Sequence, residues 1–354
     1  MNQLFRSPRI IKLAIWLLFL LCLVAIFPHS IERQETLGVD YPIFYEAARN
    51  HGEAVGYIYP PTLAWLLYPL ATLPYHLSSE IWYAIQALAI LWVLWICLPA
   101  FRPGGVAMLF VEALFVIAVA RLLILNAEIG QVNGLVCLLI LLAMTSSSDS
   151  IAGASLGTAT LIKLSPALFL PFAVVQDMDK SWKGSLLFYC GTLALGFGLP
   201  LISGFSLSGL TKLAQLSGSA GDNLGLYAYA GKYSYIISAV LILASLIIAA
   251  RVRGRWEIWL IPVILIMVVP PIVRKAHLIF GLLLGRLLDR ADTGRWAWIP
   301  VAWASGTLGT MLWPPSAIIG NISALSILLY NLAEGQGKSV AGFPHSRVTS
   351  NQPL

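Results

Sequence analysis

One carboxylate in the first long polar segment of the chain is placed where it could act as a base. Asp40 follows the first apolar run and is flanked by the aromatic residues Tyr41, Phe44 and Tyr45. Aromatic neighbours at a membrane surface would partly desolvate the carboxylate, and a partly desolvated carboxylate is a better proton acceptor. Asp40 also precedes Pro42, a pattern typical of a helix start, so a capping role is the alternative. The two roles are compatible.

Carboxamides and a lysine stand at the ends of later apolar runs. Gln131 and Asn133 open one run, where amides suit either recognition of hydroxyl groups or hydrogen bonding between helices. Lys163 separates two short runs. An ionisable residue at membrane depth is a functional candidate, and snorkelling of the ammonium group to the interface is the alternative. These three side chains are therefore candidate substrate-binding groups.

An aromatic, proline-rich stretch lies between the first two long apolar runs. It contains Tyr57, Tyr59, Pro60 and Pro61 and is too apolar to lie free in solvent. Tyrosine is at home at a membrane interface, so we expect the stretch to lie along it. It would serve there either as an interfacial anchor or as a wall for an apolar or sugar-bearing ligand.

Two cations and a histidine fall on the side of the membrane where positive charge is disfavoured. Arg274, Lys275 and His277 follow a pair of prolines in a segment expected to face away from the cytoplasm. Because basic residues normally collect on the cytoplasmic side, this charge is best explained by an anionic partner such as a lipid phosphate. His277 is suited to donate to that phosphate or to shuttle a proton. Lys232 and Asn223, in the second long loop, are positioned to join them.

Apolar helices must position these residues, because the composition is that of an integral membrane protein. Of the 354 residues, 58% are hydrophobic and 11% are charged, whereas a soluble domain carries about 25% charged residues. The mean hydropathy is +0.82. The net charge of +6 is spread over short loops, where it sets membrane orientation and does not indicate a nucleic-acid surface. The sequence therefore predicts an all-α polytopic membrane protein.

Twelve apolar runs separated by short polar breaks predict about twelve membrane-penetrating helices in a single domain, 1–333. The runs lie near 10–28, 80–99, 106–125, 132–145, 151–163, 165–176, 184–203, 233–250, 256–270, 276–289, 296–312 and 316–332. Several are shorter than the roughly 20 residues that cross a bilayer, and short or broken helices at membrane depth usually line a protein cavity. The polar tail, 334–354, is predicted to be disordered and cytoplasmic.

Basic residues predict the orientation. If all twelve runs cross, most of the Lys and Arg residues fall on one side together with both termini, and this side is expected to be cytoplasmic. The long loops 31–79 and 204–232 then lie on the other face, with short helices in the first of them. The predicted location is the plasma (inner) membrane, with the candidate site on its non-cytoplasmic side.

In this arrangement the sequence resembles glycosyltransferase family 87. The resemblance rests on Asp40-Tyr41 with Tyr45, on Tyr57-Ile58-Tyr59-Pro60-Pro61 followed by Leu70…Leu73-Pro74, on Gly130-Gln131-x-Asn133 and on Lys163-x-x-Pro166. It covers most of the chain up to about His277, and the Tyr-x-Tyr-Pro-Pro element is its most specific piece. Where the family often has Ser-Pro…Trp-x-His-His, this chain has Pro271…Lys275-Ala276-His277. Only the second histidine is retained.

The resemblance implies a GT-C-type helical bundle that uses a polyprenyl-phosphate-linked sugar on the non-cytoplasmic side. The family includes mannosyltransferases and arabinofuranosyltransferases, so the implied sugar is a mannose-like hexose or arabinofuranose. The implied acceptor is a hydroxyl of a lipid or glycan, and the family's loop carboxylate corresponds to Asp40 as the base. One base and one displacement predict inversion of the anomeric configuration. Cations suffice to hold the charge of the phosphate, which is already a good leaving group.

The expected site therefore has two catalytic residues, Asp40 and His277, and a larger substrate-binding set. That set is Tyr41, Tyr45, Tyr59, Gln131, Asn133, Lys163, Asn223, Lys232, Arg274 and Lys275. No cofactor is expected, and no metal, because no carboxylate cluster gathers around Asp40. The alternative function is a transporter or flippase of lipid-linked sugars, which predicts ionisable residues near the midplane and related halves of the chain. The polar groups here share one face instead, and no repeat is evident.

Overall fold

The computed structural model describes residues 8–37, 40–99, 105–176, 182–216, 223–252, 255–270, 272–289 and 293–334. The predicted tail beyond Glu334 lies outside these residues. All regular secondary structure in the described part of the chain is helical, which confirms the all-α fold class.

The helices are numbered in chain order. The first eight are α1 Pro8–Leu37, α2 Tyr41–Arg49, α3 Pro61–Ala71, α4 Tyr75–Cys97, α5 Gly105–Ile129, α6 Asn133–Thr145, α7 Asp149–Ile162 and α8 Phe169–Gln176. The remaining eight are α9 Trp182–Ile202, α10 Ser208–Leu216, α11 Leu226–Ala230, α12 Ser234–Arg251, α13 Leu260–Leu265, α14 Thr293–Trp296, α15 Trp298–Gly309 and α16 Ser316–Glu334. Segments of 3-10 helix cover Ser165–Leu168, Gly231–Tyr233, Trp256–Trp259 and Lys275–Asp289.

Six helical segments in the described part of the chain are long and apolar enough to cross a membrane. They are Arg9–Thr36, Tyr75–Cys97, Val106–Ile129, Lys183–Ile202, Leu226–Arg251 and Ser316–Glu334. Three shorter apolar helices, Asn133–Thr145, Ser165–Gln176 and Trp256–Leu265, match predicted runs but are shorter than the roughly 20 residues of a full crossing. The chain is thus an integral multi-pass membrane protein, and the count of about twelve membrane-penetrating helices stays a prediction.

Prolines mark where the helices of the first loop begin. Pro42 is in the first turn of α2, Pro61 is the first residue of α3, and Pro74 immediately precedes α4. Proline is tolerated in a first helical turn because its missing N–H would have no helical partner there. The first loop therefore contains two short helices, as expected, and Phe44 and Leu63 bury their side chains between them and the bundle.

Helix α1 continues further than the apolar run that predicted it. The run ends near Pro28, whereas the helix reaches Leu37. The extra turns are rich in Glu, Arg and Gln, which favour helix. Arg33 Nε lies 3.5 Å from a carboxylate oxygen of Glu128 at the end of α5, and His29 Nε2 lies 3.9 Å from the other. These ion pairs tie the extension of α1 to α5 and shorten the first loop.

The turn between α5 and α6 holds the predicted Gly-Gln-x-Asn element and is closed by packing on all sides. Gly130 has a φ of 67°, and its carbonyl accepts a hydrogen bond of 2.9 Å from Trp82 Nε1. The ring of Trp82 stacks on that of Tyr41 with centroids 5.6 Å apart. A Cβ at Gly130 would lie 2.6 Å from the Cβ of Tyr41. Only glycine fits here, and the turn fixes the position of Gln131.

Gly130→Ala is expected to destabilise the protein by about 2–5 kcal/mol. The left-handed backbone costs a non-glycine residue roughly 1–2 kcal/mol, and overpacking against Tyr41 adds roughly 1–3 kcal/mol. The measurement is the thermal unfolding of the purified protein in detergent. Gly198→Ala is the control, because a Cβ at Gly198 in α9 meets nothing within 4 Å. Equal unfolding temperatures for the two variants would contradict the assigned turn.

Candidate active site

The backbone of Asp40 caps the start of α2, whereas its side chain does not cap the helix. The Asp40 carbonyl accepts the first helical hydrogen bond, 2.9 Å from Phe44 N. The carboxylate makes no capping hydrogen bond to the helix, so the capping alternative is wrong for the side chain. The backbone of Asp40 has a φ of 54°, which is uncommon for a residue other than glycine. Strain of this kind clusters at functional sites.

Gln131 joins Asp40 to the aromatic stretch. Its side-chain amide is close enough to the Asp40 carboxylate and to the Tyr59 hydroxyl to lower the pKa of both groups. The side chain of Gln131 is buried, and its backbone N–H donates to the carbonyl of Asn126 at 3.1 Å. Asp40, Tyr59 and Gln131 come from three separate segments of the chain and meet at one point, so Tyr59 forms a wall of this site.

Lys163 and Asn133 form the next part of the site. Lys163 Nζ donates to Asn133 Oδ1 at 2.7 Å, and Asn133 Nδ2 donates to the carbonyl of Ala276 at 3.1 Å. The ammonium group lies 5.9 Å from the ring centre of Tyr59 and 6.0 Å from that of Phe280. Lys163 is only 8% exposed, so the snorkelling alternative is wrong. The Lys163 side chain is therefore held inside the protein, next to Tyr59.

Arg274 and His277 close the site from the segment that follows α13. The backbone N–H of Arg274 donates to His277 Nδ1 at 3.1 Å. This bond makes Nδ1 an acceptor and leaves Nε2 as the ring atom that can donate. His277 is buried, whereas the Arg274 side chain is exposed, and its positive charge acts on both Asp40 and Tyr59. Arg274 thus brings a cation to the mouth of the site.

Burial raises the pKa of the Asp40 carboxyl to about 6. The hydrogen bond from Gln131 and the positive charges of Lys163 and Arg274 oppose that rise, because each stabilises the charged form. Asp40 lies between the first two long helices, outside the candidate spans. A carboxylate with this pKa is ionised at neutral pH and is more basic than an ordinary aspartate.

The other expected site residues differ in their surroundings. The Tyr41 hydroxyl shares a hydrogen bond with Ser78, and the Tyr45 hydroxyl donates to the carbonyl of Leu73 at 2.8 Å. Lys232 lies over the ring of Tyr233, 5.7 Å from its centre. Lys275 is exposed beside Arg274, and Asn223 is buried. A substrate contact by any of these five residues stays a prediction; they are Tyr41, Tyr45, Asn223, Lys232 and Lys275.

Asn223 shows how a buried amide can be used by the fold. Its Oδ1 accepts hydrogen bonds of 2.9 Å from the backbone N–H groups of both Gly225 and Val273. The amide therefore holds the second long loop against the segment that carries Arg274. Asn223 therefore contributes to the site by holding the backbone of Val273, next to Arg274.

Sequence reasoning missed Asn126, which connects two of the predicted groups. Its Nδ2 donates to the carbonyls of Leu122, at 2.7 Å, and Ala276, at 3.1 Å. Its Oδ1 accepts from Asn133 Nδ2 at 2.9 Å. The available signal was an asparagine in the last turn of a mostly apolar helix, and that signal cannot tell a structural amide from a binding one.

Comparison with known families places the chain. The model of glycosyltransferase family 87 matches residues 57–288, about two thirds of the chain. The chain belongs to glycosyltransferase family 87. It is therefore a membrane glycosyltransferase, and the resemblance drawn from the motifs is confirmed. A search of curated proteins found no match.

The family 87 match covers most of the site but not its carboxylate. Tyr59, Gln131, Lys163, Arg274 and His277 lie inside the matched range, whereas Asp40 precedes it. The placement of Asp40 in the site therefore rests on its contacts with Gln131 and on the charges that act on it.

Proposed function

We propose that this family 87 enzyme transfers a mannose-like hexose or arabinofuranose from a polyprenyl-phosphate donor to a hydroxyl of a lipid or glycan. One observation carries the proposal. A single ionised carboxylate, Asp40, shares a site with Lys163 and the exposed Arg274, whose charges act on it. A lipid phosphate requires cations, and an acceptor hydroxyl requires a base. The site offers both.

The reaction follows from this placement. Asp40 accepts the proton of the acceptor hydroxyl as its oxygen forms a bond to the anomeric carbon. The bond from that carbon to the phosphate oxygen breaks, and the phosphate leaves with the electron pair. Arg274 and the Nε2–H of His277 stabilise the charge of the departing phosphate. One displacement inverts the anomeric configuration, and no cofactor or metal takes part.

The membrane arrangement belongs to the same proposal. We place the site on the non-cytoplasmic face of the plasma (inner) membrane, with both termini in the cytoplasm and a GT-C-type bundle around the site. Support comes from the distribution of Lys and Arg along the chain. The donor lipid would reach Arg274 laterally from the bilayer, because the exposed guanidinium lies at the mouth of the site.

The experiment that tests the function uses the full chain in lipid nanodiscs. The protein is mixed with radiolabelled polyprenyl-phosphate mannose or arabinofuranose and with glycolipids from cells that lack the gene. Product is identified by mass spectrometry, and its anomeric configuration by nuclear magnetic resonance. Transfer with inversion supports the proposal. Movement of donor across a liposome bilayer without product would favour the flippase alternative, and a retained configuration would exclude the single displacement.

The rate of transfer is expected to fall below a midpoint near pH 6. The pKa of Asp40 is raised to about 6, and only its deprotonated form can accept the proton. Below the midpoint kcat/KM should therefore fall about tenfold for each pH unit, and above it the value should level off. The measurement is kcat/KM from about pH 4.5 to about pH 8.5. A midpoint near 4, that of an ordinary aspartate, would show that burial does not act on the base.

A further inference from the structure

Gln131 lines a small cavity whose lining does not include Asp40. Its lining includes Gln86, Asn126 and Gln131, together with the aromatic side chain of Trp82. The centre of a water molecule can occupy about 10 Å³ of this space, which is about the space that one water molecule requires. Neither Gln86 nor Gln131 belongs to the surface, since their side chains are 6% and 3% exposed.

Two polar atoms at this cavity are complementary. Within the described part of the chain, Gln86 Nε2 and Gln131 Oε1 are buried without a hydrogen-bond partner. One is a donor and the other an acceptor. The Oε1 atom of Gln86 is already used, since it accepts from Leu135 N at 3.1 Å. A buried water usually makes about three hydrogen bonds to otherwise unsatisfied groups, and these two atoms supply the first pair.

The orientation of the Gln131 amide decides whether it helps Asp40. Its hydrogen bond lowers the pKa of that carboxyl, so the N–H side of the amide faces the carboxylate. An amide turned by 180° has nearly the same shape but would present its oxygen to the carboxylate. The ionised carboxylate only accepts hydrogen bonds and so favours the N–H side, and a hydrogen bond at Oε1 strengthens that preference.

We propose that the cavity binds one water molecule, which accepts from Gln86 Nε2 and donates to Gln131 Oε1. Gln86 is then a positioning residue for the contact between Gln131 and Asp40. This inference rests on the proposed function for the role of Asp40 as the base. Gln86 itself touches neither substrate nor Asp40, and it lies within helix α4.

The test compares Gln86→Met, Gln131→Met and the double variant. The protonation of Asp40 is followed by infrared titration, as the difference between each variant and the same variant carrying Asp40→Asn. Tyr59, Lys163 and Arg274, the other polar groups that face Asp40, are unchanged in all three proteins. A shift therefore reports the Gln131 contact.

Gln131→Met is expected to raise the midpoint of Asp40 by about one to two pH units, because a hydrogen bond to a charged group is lost. Gln86→Met should raise it by about half a unit to one unit and lower the rate at about pH 6 about 2–5-fold, with the KM of the donor unchanged. In the double variant, Gln86→Met should add nothing further, since its effect passes through Gln131.

Three outcomes would overturn the proposal. The first is an Asp40 midpoint in Gln86→Met equal to that of the wild type, and the second is additive shifts in the double variant. Should Gln86→Met fail to fold, an experimental structure of the wild type that resolves ordered water decides. The third outcome is that this structure shows no water in the cavity, or shows the Gln131 amide turned by 180°. If the wild type transfers no sugar, the proposed function fails, while the infrared titration still tests the role of Gln86.

Discussion

Replacing Asp40 by asparagine is expected to lower the rate of sugar transfer about 10²–10⁴-fold, the loss typical of removing a general base. The amide has the size of the carboxylate but cannot accept the proton of the acceptor hydroxyl. Hydrogen bonding to Gln131 is preserved in part, so the KM of the donor should change little. The measurement is kcat and KM for the donor in lipid nanodiscs at about pH 7.5, well above the Asp40 midpoint.

The stability of the Asp40→Asn protein distinguishes lost chemistry from lost folding. The folded-state pKa of Asp40, about 6, lies above its ordinary value of 3.8. The contribution of this group to stability is therefore greatest at low pH and falls as the pH rises through that window. At pH 7.5 the asparagine variant should unfold at the same temperature as the wild type or higher. Glu46→Gln, an exposed carboxylate on α2, is the matched control and should keep full activity. Near-normal transfer by Asp40→Asn would exclude Asp40 as the base.

Lys163→Met is expected to slow transfer about 10–100-fold at neutral pH and to move the acid limb of the rate profile to higher pH. The positive charge of Lys163 lowers the pKa of Asp40, so its removal leaves more of the base protonated. A preorganised charge in a buried site also contributes directly to the transition state. The measurement is the pH dependence of kcat/KM, and part of the lost rate should return as the pH is raised.

If Lys163 instead binds the donor phosphate directly, the expected result is different. The KM of the donor would then rise, and raising the pH would restore nothing. Met retains most of the aliphatic stem between Tyr59 and Phe280, but Asn133 Oδ1 loses its donor, which costs about 1–3 kcal/mol of stability. Lys183→Met is the control because Lys183 is exposed at the start of α9. If the acid limb of the rate profile does not shift in Lys163→Met, the charge of Lys163 does not affect the pKa of Asp40.

The sequence predicted the membrane fold and the site residues better than it predicted their partners. Asp40, Gln131 and Lys163 interrupt or border apolar runs, where a polar group has a cost that function can explain. Their contacts depend on how helices far apart in the chain pack together, and no local pattern encodes that packing. Asn223 illustrates the difficulty, since its oxygen binds two backbone N–H groups and looks the same in sequence as an amide that binds sugar.

Helix lengths were predicted less well where polar residues continue a helix. The extension of α1 beyond Pro28 contacts Glu128 through His29 and Arg33, and Glu128 is nearly a hundred residues away in the sequence. For the short apolar runs, composition does not show whether the helix crosses the membrane fully or only in part. Family membership adds no information on Asp40, which precedes the matched range.

The hydrogen bonds around Ala276 have a consequence for how this enzyme can evolve. Lys163 donates a hydrogen bond to Asn133, Asn133 donates to Asn126, and both asparagines donate to the Ala276 carbonyl. Replacing one of these residues therefore leaves a buried polar atom of another without a hydrogen-bond partner. Single substitutions there are penalised, and we expect this wall to be inherited as a unit. Tyr45, by contrast, makes one bond to a backbone carbonyl. New acceptor preferences would therefore arise first by substitutions at positions such as Tyr45 in α2.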